Sequence, residues 1–277
     1  MSEKLLVVSV DAMQFDDIVL ARELPGFSSI LESASFAEVE GVYPSLTYPN
    51  HAAQITGCRP ALSGVHNNTL FDPATKPSVW FWDSRMLRVP TIFAAAKQAG
   101  LSTAAVQWPV TANEPDVDWL VPEIASPQLF ASLTDQYRQT TNEQSFERYV
   151  VPHLDLIHPP STKGRYLDFV DHVSARILAE QRPDVMFVHL TALDFARHLH
   201  GVNGPHVAET LARVDAALVS YLEVLDHTGD RDRTNIAIIS DHGQIDVEQH
   251  TNLNALFVER GFIRTDDEGA LIDYDIY

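Results

Sequence analysis

Short runs of apolar, β-prone residues punctuate this chain, and between them apolar positions recur at helical spacing. Leu5–Val10 (LLVVSV), Ser102–Gln107, Val185–Leu190 (VMFVHL) and Asn235–Ser240 (NIAIIS) are nearly continuous in apolar character, the mark of strands buried on both faces. Phe36–Val42 is a further strand candidate. Residues 15–34 predict one or two helices around Pro25 and Gly26. Pro90–Ala99 reads as a helix started by proline and stopped by Gly100, and 166–181 as another. Residues 204–226 hold a long amphipathic helix with Leu211, Val214, Leu218, Tyr221 and Leu225 along one face. Strands alternating with helices predict an α/β fold: a mostly parallel sheet with helices on both faces, in one domain over 1–277. From 111 to 163 the periodicity weakens and prolines accumulate, which predicts an inserted helical segment or cap.

In such folds ligands bind beyond the carboxyl ends of the strands. Asp11, Asp194 and Asp241 each stand at or shortly after such an end, with His198 and His242 within reach of the latter two. Tyr43–Gly57 (YPSLTYPNHAAQITG) reads as a loop that becomes a helix, with Pro49 in the first turn and Thr47 at the junction. The unpaired N–H groups and positive dipole end of a helix N-terminus favour anions, so a hydroxyl there loses its proton more easily and a phosphoryl oxygen finds donors. A threonine nucleophile still needs a base or a metal ion. Gly64–Pro73 is rich in turn formers and reads as a loop, and Trp80, Phe81 and Trp82 read first as packing.

Charge narrows the partners. With 38 acidic and 19 basic residues the formal charge is −19, which argues against a nucleic-acid polymer or an anionic membrane. The 12 histidines and the carboxylates suit divalent cations, and their mixture favours zinc over an all-oxygen ion such as magnesium. A two-metal site would supply the activation that Thr47 lacks. Cys58 is the single cysteine, so there is no intrachain disulfide, and it reads as a small buried residue. Leu5–Val10 is too short for a signal segment and no longer apolar run occurs, so the sequence reads as soluble and cytoplasmic. It leaves a homo-oligomer open.

Together these motifs resemble the alkaline phosphatase superfamily, in its nucleotide pyrophosphatase/phosphodiesterase branch. That branch has an early strand ending in a metal-binding Asp, as in VVSVDA with Asp11, and a T-(F/Y)-P-N-H nucleophile motif, as in Thr47–His51. Gly64–Pro73 fits its H-G-I-x-x-N-x-(M/L)-(Y/F)-D-P loop, so Asn68 inherits a phosphoryl-binding role. Asp194, His198, Gly204 and Pro205 match D-x-x-x-H…G-P with two extra residues, and Asp241–Gln244 matches D-H-G-M with Gln in place of Met. The resemblance implies two zinc ions, one among Asp11, Thr47, Asp241 and His242, the other at Asp194 and His198. It also implies a later histidine for the second zinc. No histidine stands well beyond Asp241–Gly243 before Tyr277, which leaves His200, His206 and His250 as substitutes, or a form lacking the family's C-terminal segment.

The implied activity is hydrolysis of a small phosphodiester or nucleotide pyrophosphate through a phosphorylated Thr47. A phosphomonoesterase, a phosphonate hydrolase and a catalytically impaired metal-binding form are the alternatives. No Arg precedes Gly57 near the nucleophile to favour a dianionic monoester. The sulfatase motif C/S-x-P-x-R and the serine-hydrolase elbow G-x-S-x-G are both absent.

Overall fold

The computed structural model describes residues 3–71, 78–157 and 165–276; Asp72 and Pro73 of the loop motif and residues 158–163 of the expected insertion lie outside them. Five strands form one parallel sheet: β1 (Lys4–Val10), β2 (Thr103–Val106), β3 (Trp119–Val121), β4 (Val185–Leu190) and β5 (Thr234–Ile239), in the order β3-β2-β4-β1-β5. β1 lies between β4 and β5, with Val10 opposite Leu190 and Ser9 opposite Ile239. All carboxyl ends therefore point the same way.

Side chains alternate across the sheet, which explains why the strands read as unbroken apolar runs. Leu6, Val8, Val10, Met186, Val188 and Leu190 pack with Phe169, Val173, Leu211, Val214 and Leu218 from the helices Arg165–Gln181 and Pro205–Thr228. The intervening Val7, Ala105, Val185 and Phe187 pack with Ile55 of Thr47–Thr56 and with Phe93 and Ala96 of Ile92–Gln98. Both faces are covered, as the pattern predicts.

Two expectations change. Phe36–Val42 forms no strand: Phe36 and Val39 are 55% and 79% exposed, and the Phe36 ring lies 6.1 Å from Phe15. Its alternating pattern suits a strand, but among the described residues no strand of the sheet pairs with it. β3, conversely, is only three residues long and comes from the weakly patterned 111–163 stretch. The helical residues after it contribute Tyr137, Phe146 and Tyr149 to the main core. Cys58 is half-buried and free.

The sequence reads as one domain, whereas the contacts gather the chain into two compact units, Met1–Gln244 and Ile245–Tyr277. The second holds the helix Leu253–Glu259 and an antiparallel pair, β6 (Ile263–Thr265) and β7 (Leu271–Tyr274), with Ile263 as its buried apolar side chain among the described residues. Among the described residues no helix is long and apolar enough to cross a membrane.

One buried acid joins two helices of the first unit. Asp215, 3% exposed on Pro205–Thr228, accepts the N–H groups of Gly26 (3.1 Å) and Phe27 (2.8 Å) at the start of Pro25–Leu31. It satisfies donors that a helix start leaves open. Asp215→Ala is expected to cost about 1–3 kcal/mol, read as a lower urea midpoint with unchanged slope. A midpoint that does not move would show that water replaces the carboxylate at no cost.

Candidate metal centre

The ends of β1 and β5 and the start of one helix build the centre. Asp11 follows β1 directly, and its N–H still bonds to the Leu190 carbonyl at 3.0 Å. Ala12 then turns into the left-handed region at φ 58°, unusual for a residue with a side chain. Its two backbone groups are held there: the N–H donates to Asp241 Oδ1 at 3.1 Å, and the carbonyl accepts from the buried guanidinium of Arg197. Asp241 and His242 follow β5 after Ser240, whose carbonyl accepts from Gln54 Nε2 of the Thr47 helix at 3.0 Å.

Thr47 is the first residue of the helix Thr47–Thr56. Asn50, 3% exposed, donates from Nδ2 to the Leu46 carbonyl (2.9 Å) and accepts the Val42 N–H on Oδ1 (2.8 Å), so the approaching loop is fastened to the helix it enters. Gly41 is required by this closeness, since a Cβ there would lie 2.6 Å from Asn50 Oδ1 and 3.1 Å from the Asp241 carbonyl oxygen. Trp80 and Phe81 pack around Tyr48, the Trp80 ring 5.1 Å from the Tyr48 ring, which is the packing role expected of the aromatic cluster.

These elements converge on His242 Nε2. It lies 3.1 Å from Thr47 Oγ1, 3.3 Å from Asp241 Oδ2 and 3.5 Å from Asp11 Oδ1, while His242 Nδ1 is 3.2 Å from the Gly243 carbonyl oxygen. With Nδ1–H donating to that carbonyl, the Nε2 lone pair faces three oxygens. Asp11 Oδ1 and Asp241 Oδ2 are both buried without a hydrogen-bond partner. Burial, and then the neighbouring Asp241 charge, pushes the Asp11 carboxyl well above the usual carboxylate range. Two orphaned carboxylate oxygens and an imidazole lone pair converge where the Thr47 hydroxyl is the one donor, so acceptors outnumber donors, which fits a divalent cation.

Asp194 joins the same centre. Ligand atoms of Asp11, Asp194 and His242 lie within 4.8 Å of one another, the one such group of acids, histidines or cysteines among the described residues. Asp194 Oδ1 is 3.3 Å from His198 Nε2, one helical turn away on Ala192–His200, but the His198 side chain is 69% exposed. Gln244 Nε2 also donates to Asp194 Oδ1, at 2.6 Å. His200 and His206 face each other with ring centroids 5.3 Å apart, and His206 Nε2 bonds to the Gly201 carbonyl. His250 belongs to the second unit. Asn68 stands at the start of the Thr47 helix, its Oδ1 accepting the Tyr48 N–H at 2.9 Å.

Three further side chains stand behind the centre, His51, His189 and Glu123, and no ligand motif in the sequence marks them. His51 is fully buried, with Nδ1 2.8 Å from the Thr47 carbonyl and Nε2 3.0 Å from Ser9 Oγ. Burial, and then the adjacent His189, lowers it to about 3, so it is a neutral prop beneath the Thr47 backbone. His189 lies between two acids, Nε2 3.1 Å from Asp11 Oδ2 and Nδ1 2.8 Å from Glu123 Oε2. Burial alone would lower its pKa, but the hydrogen bonds to Asp11 and Glu123 outweigh it and hold the imidazolium well above the ordinary range.

The profile of the type I phosphodiesterase / nucleotide pyrophosphatase family matches residues 5–276. The chain belongs to that family. It stands in the nucleotide pyrophosphatase/phosphodiesterase branch of the alkaline phosphatase superfamily. Human ectonucleotide pyrophosphatase/phosphodiesterase family member 1 is 22% identical over 226 residues, 79% of this chain and 21% of the relative. Family member 5 from the same species is 23% identical over 87% of this chain and 45% of its own length. Among solved structures, murine ectonucleotide pyrophosphatase/phosphodiesterase 5, an inactive threonine-to-alanine form in complex with AMP, superposes with TM-score 0.65 at 21% identity, covering 96% of this chain and 64% of that one. Phosphonoacetate hydrolase from Sinorhizobium meliloti, in complex with phosphonoacetate, gives 0.66 at 22% identity over 93% and 62%. The chain thus spans a fifth to under a half of these curated relatives, and these likenesses carry the fold.

Proposed function

We propose that this family member is a metal-dependent phosphoric ester hydrolase of the phosphodiesterase/nucleotide pyrophosphatase type, with Thr47 as nucleophile and zinc as its metal. The observation that carries the proposal is the convergence of Thr47 Oγ1, at 3.1 Å, and the orphaned Asp11 Oδ1 and Asp241 Oδ2 on His242 Nε2. Asp11, Thr47, Asp241 and His242 would hold one ion, and Asp194 with His198 a second. Bound zinc supplies Lewis-acid activation of the Thr47 hydroxyl and charge neutralisation at a phosphoryl oxygen. The Thr47 oxygen attacks phosphorus, the bond to the ester or pyrophosphate leaving group breaks, and water then cleaves the threonine phosphate to regenerate the hydroxyl. Asn68, fixed by the Tyr48 N–H on its Oδ1, offers its Nδ2 to a phosphoryl oxygen at the helix N-terminus. The substrate is a small phosphate ester. A nucleotide fits the AMP held by the murine relative, and a phosphonate fits the ligand of the Sinorhizobium one.

A second reading is a one-metal form with impaired turnover. The Gln244 bond to Asp194 and the exposure of His198 favour it, because the second ion's ligands are fewer and partly engaged. Metal analysis of the purified chain, alongside hydrolysis of bis-p-nitrophenyl phosphate, p-nitrophenyl phosphate and phosphonoacetate, separates the two. The expected result is close to two zinc ions per chain and diester cleavage that a chelator abolishes and added zinc restores. One ion without turnover selects the second reading, and zinc-independent hydrolysis removes both.

A further inference from the structure

A row of polar groups runs behind the centre along the carboxyl ends of four strands, in the order in which those strands pair. Asp11 follows β1, His189 is the penultimate residue of β4, Gln107 follows β2, and Glu123 lies two residues beyond β3. Pairing of Val10 with Leu190, Val106 with Val188 and Val106 with Val121 sets these ends side by side. His189 Nε2 meets Asp11 Oδ2 at 3.1 Å, while His189 Nδ1 meets Glu123 Oε2 at 2.8 Å and the Gln107 carbonyl at 3.2 Å. Every partner of the imidazole is an oxygen acceptor, so both ring nitrogens donate. The other Glu123 oxygen, Oε1, accepts from Tyr48 OH at 3.3 Å.

The row is buried where packing alone would favour apolar residues. The His189 side chain has no exposed surface, and those of Asp11 and Glu123 are 5% and 16% exposed. Beside it the His51 and Trp108 rings close the space, their centroids 4.2 and 6.5 Å from that of His189. Its effect on Asp11 is directional. Oδ2 is taken by His189, and Oδ1, the orphaned oxygen, is left towards His242. A carboxylate bound on one oxygen from behind presents the other in a fixed direction.

We infer that Glu123 and His189 are positioning residues for the metal centre: Glu123 orients the imidazole, and the imidazole holds Asp11 so that Oδ1 alone faces the cation. This rests on the reading of Asp11 as a cation ligand. Neither residue touches substrate or metal, so the effect belongs in metal affinity before it appears in turnover.

The experiment is calorimetric titration of zinc, with a competing chelator, into metal-free wild type, Glu123→Ala, Glu123→Gln, Glu123→Leu and His189→Asn, with circular dichroism confirming that each is folded. Glu123→Ala is expected to bind zinc about 10–100-fold more weakly. Glu123→Gln keeps an acceptor for Nδ1–H and is expected to recover most of that loss, whereas Glu123→Leu, of similar bulk but with no acceptor, is expected to stay as weak as the alanine variant, a difference that a role in packing alone would not predict. His189→Asn breaks the contact with Asp11 and is expected to lose affinity to the same degree as the alanine variant. Wild-type affinity in His189→Asn overturns the inference whatever Glu123→Ala does, and so does a glutamine variant as weak as the alanine one. If wild type itself takes up no zinc, the reading of Asp11 falls and the inference with it. If wild type binds zinc and the variants match it, only the inference fails.

Discussion

Thr47→Ala is expected to lower kcat for a chromogenic phosphodiester by at least about 10⁴-fold, the scale seen when a nucleophile is removed from otherwise intact catalytic machinery. The change deletes one oxygen, the Thr47 Oγ1 that lies 3.1 Å from His242 Nε2. The surroundings persist. Thr47 starts its helix without serving as the cap, which is Leu46, and alanine is at least as good a helix former. The backbone bonds that place position 47, from His51 Nδ1 to its carbonyl and from Asn50 to Leu46, do not involve the hydroxyl. Thermal stability is therefore expected to stay close to wild type while turnover collapses. Thr47→Ser, which keeps the oxygen, is expected to retain measurable turnover. Steady-state kinetics on the three proteins settles the matter: an alanine variant within tenfold of wild type would assign the attack to water and leave Thr47 as a ligand at most.

The legible parts of this molecule are those where one local rule acts alone. Val185–Leu190 is a strand with the bounds its apolar run gives, because a strand buried on both faces needs no alternation to betray it. Thr47 begins its helix because Pro49 tolerates the first turn and Gly57, at φ 66°, ends it. Asp194 and His198 meet at 3.3 Å because four residues make one helical turn. What was not legible depends on neighbours far away in sequence. The alternation in Phe36–Val42 says nothing about whether another strand will pair with it, and among the described residues none does. Trp119–Val121 is too short for a pattern, yet β2 offers it an edge. His189 reads as a core histidine within a strand and Glu123 as an isolated acid after Pro122. Their meeting with Asp11 follows only from strand order, which brings residues 66 and 178 positions apart into hydrogen-bond range.

Arg197→Met is expected to destabilise the fold by about 3–5 kcal/mol, the cost of leaving one member of a buried ion pair without its partner. The Arg197 side chain has no exposed surface, and its guanidinium spans three segments. NH2 donates to both Asp17 oxygens at 2.7 and 2.9 Å, Nε to the Val202 carbonyl at 3.0 Å, and NH1 to the Ala12 carbonyl. Methionine fills much of the same volume but pairs with none of these acceptors, so a buried carboxylate and two carbonyls each lose a donor, Asp17 keeping the Gln14 N–H. Urea unfolding is expected to show a lower midpoint at an unchanged slope. The pair itself need not stabilise the fold relative to an apolar one, and Arg197→Met combined with Asp17→Leu is expected to lose less than the sum of the single changes. Arg197 also ties Ala12, next to Asp11, to the helix that carries Asp194. Zinc affinity is accordingly expected to fall in the single variant even at temperatures where it stays folded, since the two carboxylates are then held less firmly relative to one another. A midpoint change worth less than about 1 kcal/mol would mean that water enters and serves the three acceptors; normal zinc affinity alongside a large loss of stability would mean that Arg197 fastens the fold without setting the spacing of Asp11 and Asp194.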